Sequence, residues 1–317
     1  MNKTGFFTHA DCRKHEMGPG HPECPERLGA IDDRLLISGV SDALDRREAP
    51  LAPLVDIELA HGRMFVAAIR GLNDSLQEDI IAGGPAYCQI DPDTSMNAST
   101  WDALLRSAGA ALAATDAVIA GEMENAFCAT RPPGHHACRD KAMGFCIFNN
   151  VAIAAKYALE RHGLKRVAIV DFDVHHGNGT EDIVAGDERI LMVSFYQHPF
   201  YPYGGSQSNA ANLVNLPVPA YTKGPKVREL IDAHWIPRLE EHRPEMIFIS
   251  AGFDAHREDD LGQMGLVEQD YAWITDRVKD VARRHAKGRI VSCLEGGYNL
   301  SALGRSVEAH IRVLADL

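Results

Sequence analysis

Six short runs in this chain are almost unbroken in apolar residues, and they constrain its fold more than any other feature. They are TGFFTH (4–9), NAFCATR (125–131), RVAIVDF (166–172), RILMVSF (189–195), EMIFISAG (245–252) and RIVSCLEGG (289–297). A strand that is wet on one face alternates apolar and polar residues, whereas a strand covered on both faces does not. The runs therefore predict parallel strands buried on both sides. Helix-like stretches lie between several of them. One covers 100–121, with Thr100 as its expected cap, and others cover 150–163 and 269–288; each closes on a glycine. Strands alternating with helices give an α/β fold, a mostly parallel central sheet flanked by helices on both faces. No linker-like tract or repeat divides the chain, so a single domain spanning 1–317 is expected.

Composition narrows the function. Formal net charge is -12 and no Lys/Arg-rich block exists, which argues against nucleic acid as a partner. No apolar stretch reaches the roughly 18 residues that span a membrane, and the N-terminus lacks the apolar core of a signal peptide. Seven cysteines are scattered without a C-x-x-C pair, as suits reduced thiols and a cytoplasmic setting. A homo-oligomer remains open.

In open parallel sheets, ligands bind beyond the carboxyl ends of the strands. RPPGHH, DFDVHH, GFDAH and EGGY each follow a strand on that side, so four pieces of chain aim polar residues at one rim. Asp173 and His175 are two apart on an extended segment and share a side, where they can hold a metal such as Zn²⁺. Taken alone, the pair reads more readily as hydrogen-bonded strand-end residues. Asp254 offers a third ligand from another strand end, although Asp after Gly-Phe also serves as a helix cap. His176 turns to the opposite side, which suits a supporting or packing role.

The Pro-Pro-Gly turn before His135 and His136 would fix two adjacent imidazoles, one of them a candidate general base and acid. Asp171 is the natural partner to fix the tautomer of one, and Asn178 of the other. Tyr298, behind two glycines, either packs or donates to a developing oxyanion. Phe145 is either core or the wall of an apolar channel.

Taken in order, HPECPERL (21–28), RPPGHHA (131–137), GFCIFNN (144–150), DFDVHHGNGTE (171–181), SAGFDAH (250–256) and LEGGYN (294–299) resemble the zinc-dependent histone deacetylase family. The wording looks closer to its class II branch and bacterial relatives, including acetylpolyamine amidohydrolases. The resemblance extends over most of the chain and implies the arginase–deacetylase fold. It implies one Zn²⁺ per chain on Asp173, His175 and Asp254. It makes His136 the general base and acid, with Asn178 behind it, and His135 an electrostatic partner, with Asp171 behind it. Tyr298 matches the tyrosine that polarises the scissile carbonyl. Phe145, next to Gly144, matches one wall of the acyl channel, and Tyr201 the other. A structural K⁺ is implied at Asp171, Asp173, His175, Ser194 and Phe195, partly through backbone carbonyls. The expected activity is zinc-dependent hydrolysis of acyl groups from lysine side chains, as in an acylated lysine peptide, or from a small acylated amine.

Two rivals fit this chain less well on particular residues. A binuclear manganese hydrolase would need carboxylates where this chain has Gly177 and His256. A decayed, non-catalytic acyl binder would lack a ligand, and none is missing. Substrate is less constrained. Polyamine-directed relatives carry a glutamate seven residues after the third ligand, where this chain has Leu261, which favours acyl-lysine slightly. Glu258, Asp259 and Asp260 form either an acidic lip beside it or a solvated charged loop. The role of the irregular 9–28 loop stays open.

Overall fold

The computed structural model describes residues 3–204 and 208–317. Ten strands occur among the described residues: β1 (Thr4–Thr8), β2 (Leu44–Glu48), β3 (Tyr87–Asp91), β4 (Thr94–Asn97), β5 (Asn125–Cys128), β6 (Val167–Asp171), β7 (Ile190–Gln197), β8 (Leu213–Val218), β9 (Ile247–Ala251) and β10 (Ile290–Leu294). Eight of them form one sheet in the order β2-β1-β5-β10-β9-β6-β7-β8, and every pairing in it is parallel. The remaining two, β3 and β4, make an antiparallel hairpin.

Successive strand residues face opposite layers, which is why the central strands read as continuous apolar runs. Val167 and Ile169 of β6 join a core under the helices Arg63–Ile81, Thr100–Ile119 and Asn150–Glu160. Ala168 and Val170 join a second core under Glu26–Ile37, Glu268–His285 and Leu300–Leu314. The α/β expectation holds, with helices on both faces.

Two edge strands escape the apolar-run criterion. LDRRE (β2) is mostly charged and LVNLPV (β8) carries Asn and Pro, as befits strands with one unpaired side. The capping expectation at Thr100 needs correction. Ser99 is the N-cap and makes no side-chain cap bond, while Thr100 Oγ1 accepts from the Asn97 amide at 2.9 Å and meets His15 Nδ1 at 2.8 Å. The glycines closing the three predicted helices, Gly121, Gly163 and Gly288, all take positive φ.

Sheet order places the site. The four strands whose ends carry polar clusters, β5, β10, β9 and β6, occupy consecutive central positions. Because they are parallel, their C-terminal turns emerge side by side at one edge.

Candidate metal centre and active site

Asp173 and His175 lie just past β6, and Asp254 just past β9. One potential ligand atom from each lies within 4.8 Å of the others. His175 Nδ1 is 3.0 Å from Asp173 Oδ1 and 3.2 Å from Asp254 Oδ2. Backbone donors hold the outer oxygens: Gly296 N to Asp173 Oδ2 at 2.9 Å, and Val174 N to Asp254 Oδ1 at 2.9 Å. Asp254 thus spends one oxygen on the backbone and caps no helix, while its buried Oδ2 receives no well-aligned hydrogen bond.

Two glycines make room for these carboxylates. A Cβ on Gly296 would lie 1.9 Å from Asp254 Oδ2, and one on Gly252 would lie 2.1 Å from Asp173 Oδ2. Burial, then the charge of Asp173, pushes Asp254 up to about 7. Burial opposes a proton on His175, but its hydrogen bond to Asp173 and the adjacent Asp254 carboxylate win and push it up to about 10. A cluster of two buried carboxylates and an imidazole, with one oxygen unmatched, fits a divalent cation better than it fits protons. The donor set, two oxygens and one nitrogen, suits zinc.

The tandem histidines differ in environment. His135 Nδ1 meets Asp171 Oδ2 at 3.1 Å, and His136 Nδ1 meets Asn178 Oδ1 at 2.7 Å. Burial alone would lower both. At His135 the charges of Asp173 and Asp171 outweigh it and hold the imidazole well above its ordinary value. At His136 burial wins, aided by His135 and His175, and the pKa sits well below. One histidine is backed by a carboxylate and the other by a neutral amide.

His136, His175 and Tyr298 face a cavity of about 220 Å³, also lined by Asp93, Gly144, Phe145, Phe200, Tyr201, Tyr203, Asp260 and Leu261. Phe145 and Tyr298 meet edge to face at 5.9 Å, as do His136 and Tyr201 at 5.1 Å. Phe200 stacks on His175 at 5.4 Å. Phe145 adopts φ +67°, a strained conformation for a bulky residue, beside Gly144 at φ +58°. The turn is held by Asp93 Oδ1, which accepts from Gly144 N at 3.1 Å, and by Thr94 Oγ1, which accepts from Phe145 N at 3.0 Å. A Cβ on Gly144 would come within 2.5 Å of the His136 ring, so the wall can pack closely only with glycine there.

The structure brings Asp173, His175 and Asp254 together, sets His135 on Asp171 and His136 on Asn178, and lines the channel with Tyr298, Gly144, Phe145, Tyr201 and Leu261. Ser194 of β7 pairs with Asp171 of β6, and Phe195 follows it, stacked on Trp235 at 5.6 Å. His176 is buried with Nε2 at 3.1 Å from Glu181 and its ring against Tyr196, away from the cluster. His256, buried beside Glu268, also lies apart from it. The acidic-lip expectation holds only for Asp260. Asp259 is buried, and its Oδ2 accepts from the amides of Tyr298 (2.6 Å) and Asn299 (3.0 Å); Glu258 pairs with Arg305.

Several supporting residues lie in or near the quoted motifs but were given no role by the sequence. Glu23, in the 9–28 loop, is fully buried between Arg131 and Arg27, with Arg131 Nη2 at 2.6 Å and Arg27 Nη1 at 3.0 Å. Arg131 also donates to the carbonyls of Cys12 and His15, which pins the loop to the turn before His135. Arg27 Nε donates to Gly297 O at 2.7 Å, and its guanidinium lies 4.9 Å from the Tyr298 ring centre. Phe200 adjoins Tyr201 in PFYPYGG, and Asp93 sits in an Asp-Pro-Asp turn; both signals are too common to pick out from a sequence.

Comparison with known proteins agrees with this geometry. The sequence profile of the histone deacetylase domain matches residues 21–314. The chain is 36% identical to a histone deacetylase-like amidohydrolase of Pseudomonas aeruginosa, over 94% of this chain and 82% of that one. It is 37% identical to a probable deacetylase of Archaeoglobus fulgidus, with the same coverage of 94% and 82%. The crystal structure of the HDA15 HD domain superposes with a TM-score of 0.91 at 31% identity, covering 100% of this chain and 90% of that one. With the site and the sheet both in the expected arrangement, the chain belongs to the histone deacetylase domain family and has its arginase–deacetylase fold.

Proposed function

We propose that this protein is a zinc-dependent amidohydrolase that removes acetyl or other acyl groups from lysine side chains or related amines. The observation that carries the reading is the Asp173–His175–Asp254 cluster, whose His175 faces the same channel as His136 and Tyr298. Zinc on those ligands would supply a Lewis acid with a position open to water and the substrate carbonyl. The other roles fall to the chain's own groups. Asn178 Oδ1 accepts the Nδ1 proton of His136, which leaves Nε2 free as the base. Its depressed pKa keeps it unprotonated until it takes a proton from the attacking water. It then returns a proton to the departing amine. His135, paired with Asp171, serves as the electrostatic partner beside the reaction. The Tyr298 hydroxyl donates to the carbonyl oxygen as negative charge builds there. A structural K⁺ at Asp171, Asp173, His175, Ser194 and Phe195 belongs to the same proposal, supported by the pairing of Asp171 with Ser194.

A second reading, hydrolysis of acetylated polyamines, draws support from Asp93 and Asp260, two carboxylates lining the channel. One panel separates the two: acetyl-lysine peptides, longer acyl-lysines, acetylated polyamines and aryl amides, assayed with and without a chelator. Turnover of acyl-lysine that is lost on chelation and restored by zinc is expected. Preference for acetylpolyamines would reverse the substrate order. Inertness of the zinc-loaded protein toward the whole panel would defeat the deacylase reading.

A further inference from the structure

The geometry points to Glu295 as a positioning residue that holds the tandem-histidine turn in register with the strand leading to Asp254 and the turn carrying Tyr298. This rests on the amidohydrolase reading above and adds to it a residue outside the reacting set.

Glu295 is the first residue after β10 and is 0% exposed. Its Oε2 accepts from Gly134 N at 2.6 Å and from His135 N at 3.1 Å. Its Oε1 accepts from the Ser250 hydroxyl, in β9, at 3.0 Å. Its own amide donates to Ala251 O at 3.0 Å, and its carbonyl accepts from Arg27. Since β10 lies between β5 and β9, one side chain links three neighbouring strand ends.

A buried carboxylate is costly, and this one is bound by neutral donors while the nearby Arg27 guanidinium goes to its backbone carbonyl instead. An apolar side chain would fill the same space at less desolvation cost, but would leave the Gly134 and His135 amides buried without an acceptor. The turn is closed off on its other side as well. A Cβ on Gly134 would lie 2.6 Å from Asn150 N and 2.9 Å from Phe148 O. The histidines therefore sit on a turn clamped between the 148–150 segment and Glu295. Releasing the Glu295 side lets His135 and His136 move relative to Asp171 and Asn178.

The test uses the zinc-loaded full chain and three variants, with an acetyl-lysine peptide as substrate. Glu295→Gln keeps an acceptor for both amides and can donate to Ser250, so kcat should stay within about three-fold. Glu295→Leu removes the acceptor, and Glu295→Asp withdraws it by one methylene. Both should lower kcat by about 10- to 100-fold while KM moves less than about three-fold, as expected for misplaced catalytic groups. A second readout does not need turnover. In histidine-labelled protein the Nδ1 protons of His135 and His136 should be protected from exchange in wild type and Glu295→Gln, and exposed in Glu295→Leu and Glu295→Asp. His310, held by Thr275 and Ser292, serves as the internal control and should not change. Unaltered kcat and unaltered His135 and His136 signals in Glu295→Leu or Glu295→Asp would overturn the proposal. If wild type turns over no substrate, the functional reading fails, and the exchange comparison alone decides the positioning claim.

Discussion

Asn178 Oδ1 lies 2.7 Å from Nδ1 of His136, while the neighbouring His135 has a carboxylate, Asp171, in the same place. A neutral acceptor orients the ring without stabilising its protonated form. Asn178→Asp should raise the His136 pKa by about one unit or more, since a carboxylate favours the imidazolium. The rate depends on the unprotonated base, so the acid limb of the kcat/KM profile should move to higher pH. An unmoved limb would remove His136 from the role of base.

Tyr298 is placed by its backbone amide on Asp259 and by its ring on Phe145 and Arg27, so its hydroxyl is not needed for folding. Tyr298→Phe should melt like wild type and lose at least ~2 kcal/mol of transition-state stabilisation, the typical cost of an oxyanion donor. Steady-state kinetics with matched melting curves would check both halves.

Gly296 leaves no room for a methyl group beside Asp254 Oδ2. Gly296→Ala should displace that carboxylate, drop zinc well below about one per chain and abolish turnover. Metal analysis by mass spectrometry reads the first effect independently of activity.

Glu23 ties two buried arginines together. Glu23→Leu would strand both, at a cost of about 3–5 kcal/mol for a broken buried pair, measurable by urea unfolding. Burial alone would raise the Glu23 pKa, but Arg131, His15 and Arg27 hold it well below the usual carboxylate range. Its contribution is therefore complete above the unfolded pKa of about 4.3 and disappears as pH falls below it.

His310 is buried among Phe127, Phe172 and Phe253, and burial takes its pKa down to about 3. The unfolded chain binds a proton on this histidine at a pH where the folded one does not. Stability should therefore fall as pH drops below about 6.5, by about 1.4 kcal/mol per unit, until about pH 3. His310→Gln should flatten that slope in urea titrations between pH 6.5 and pH 5.

What the sequence disclosed follows from where each residue sits. Central strands announce themselves because both faces are apolar, and the ligand residues stand out because polar groups at a buried strand end are expensive. Edge strands β2 and β8 hide because an edge must carry charge or proline to resist further pairing. Asp259, and the roles of Glu295 and Glu23 within the quoted motifs, hide for another reason. They act by accepting from backbone amides or by pairing across distant segments, and nothing in local spacing distinguishes such a carboxylate from a solvated one. Asp259 was visible only as part of an acidic triplet, yet it holds the amide of Tyr298.

The placement of four adjacent central strands also separates two kinds of change. Asp173, His175, Asp254, His135, His136 and Tyr298 hang from turns fixed to neighbouring strands, so altering one disturbs the others. Phe200, Tyr201, Asp260 and Leu261 line the channel from loops beyond those four strand ends. Diversifying only Phe200, Tyr201, Asp260 and Leu261, while keeping Asp259 on the Tyr298 amide, should therefore yield variants that differ in which amine or acyl chain they accept while keeping the same hydrolytic machinery. Such a scaffold can acquire new substrates without relearning its reaction.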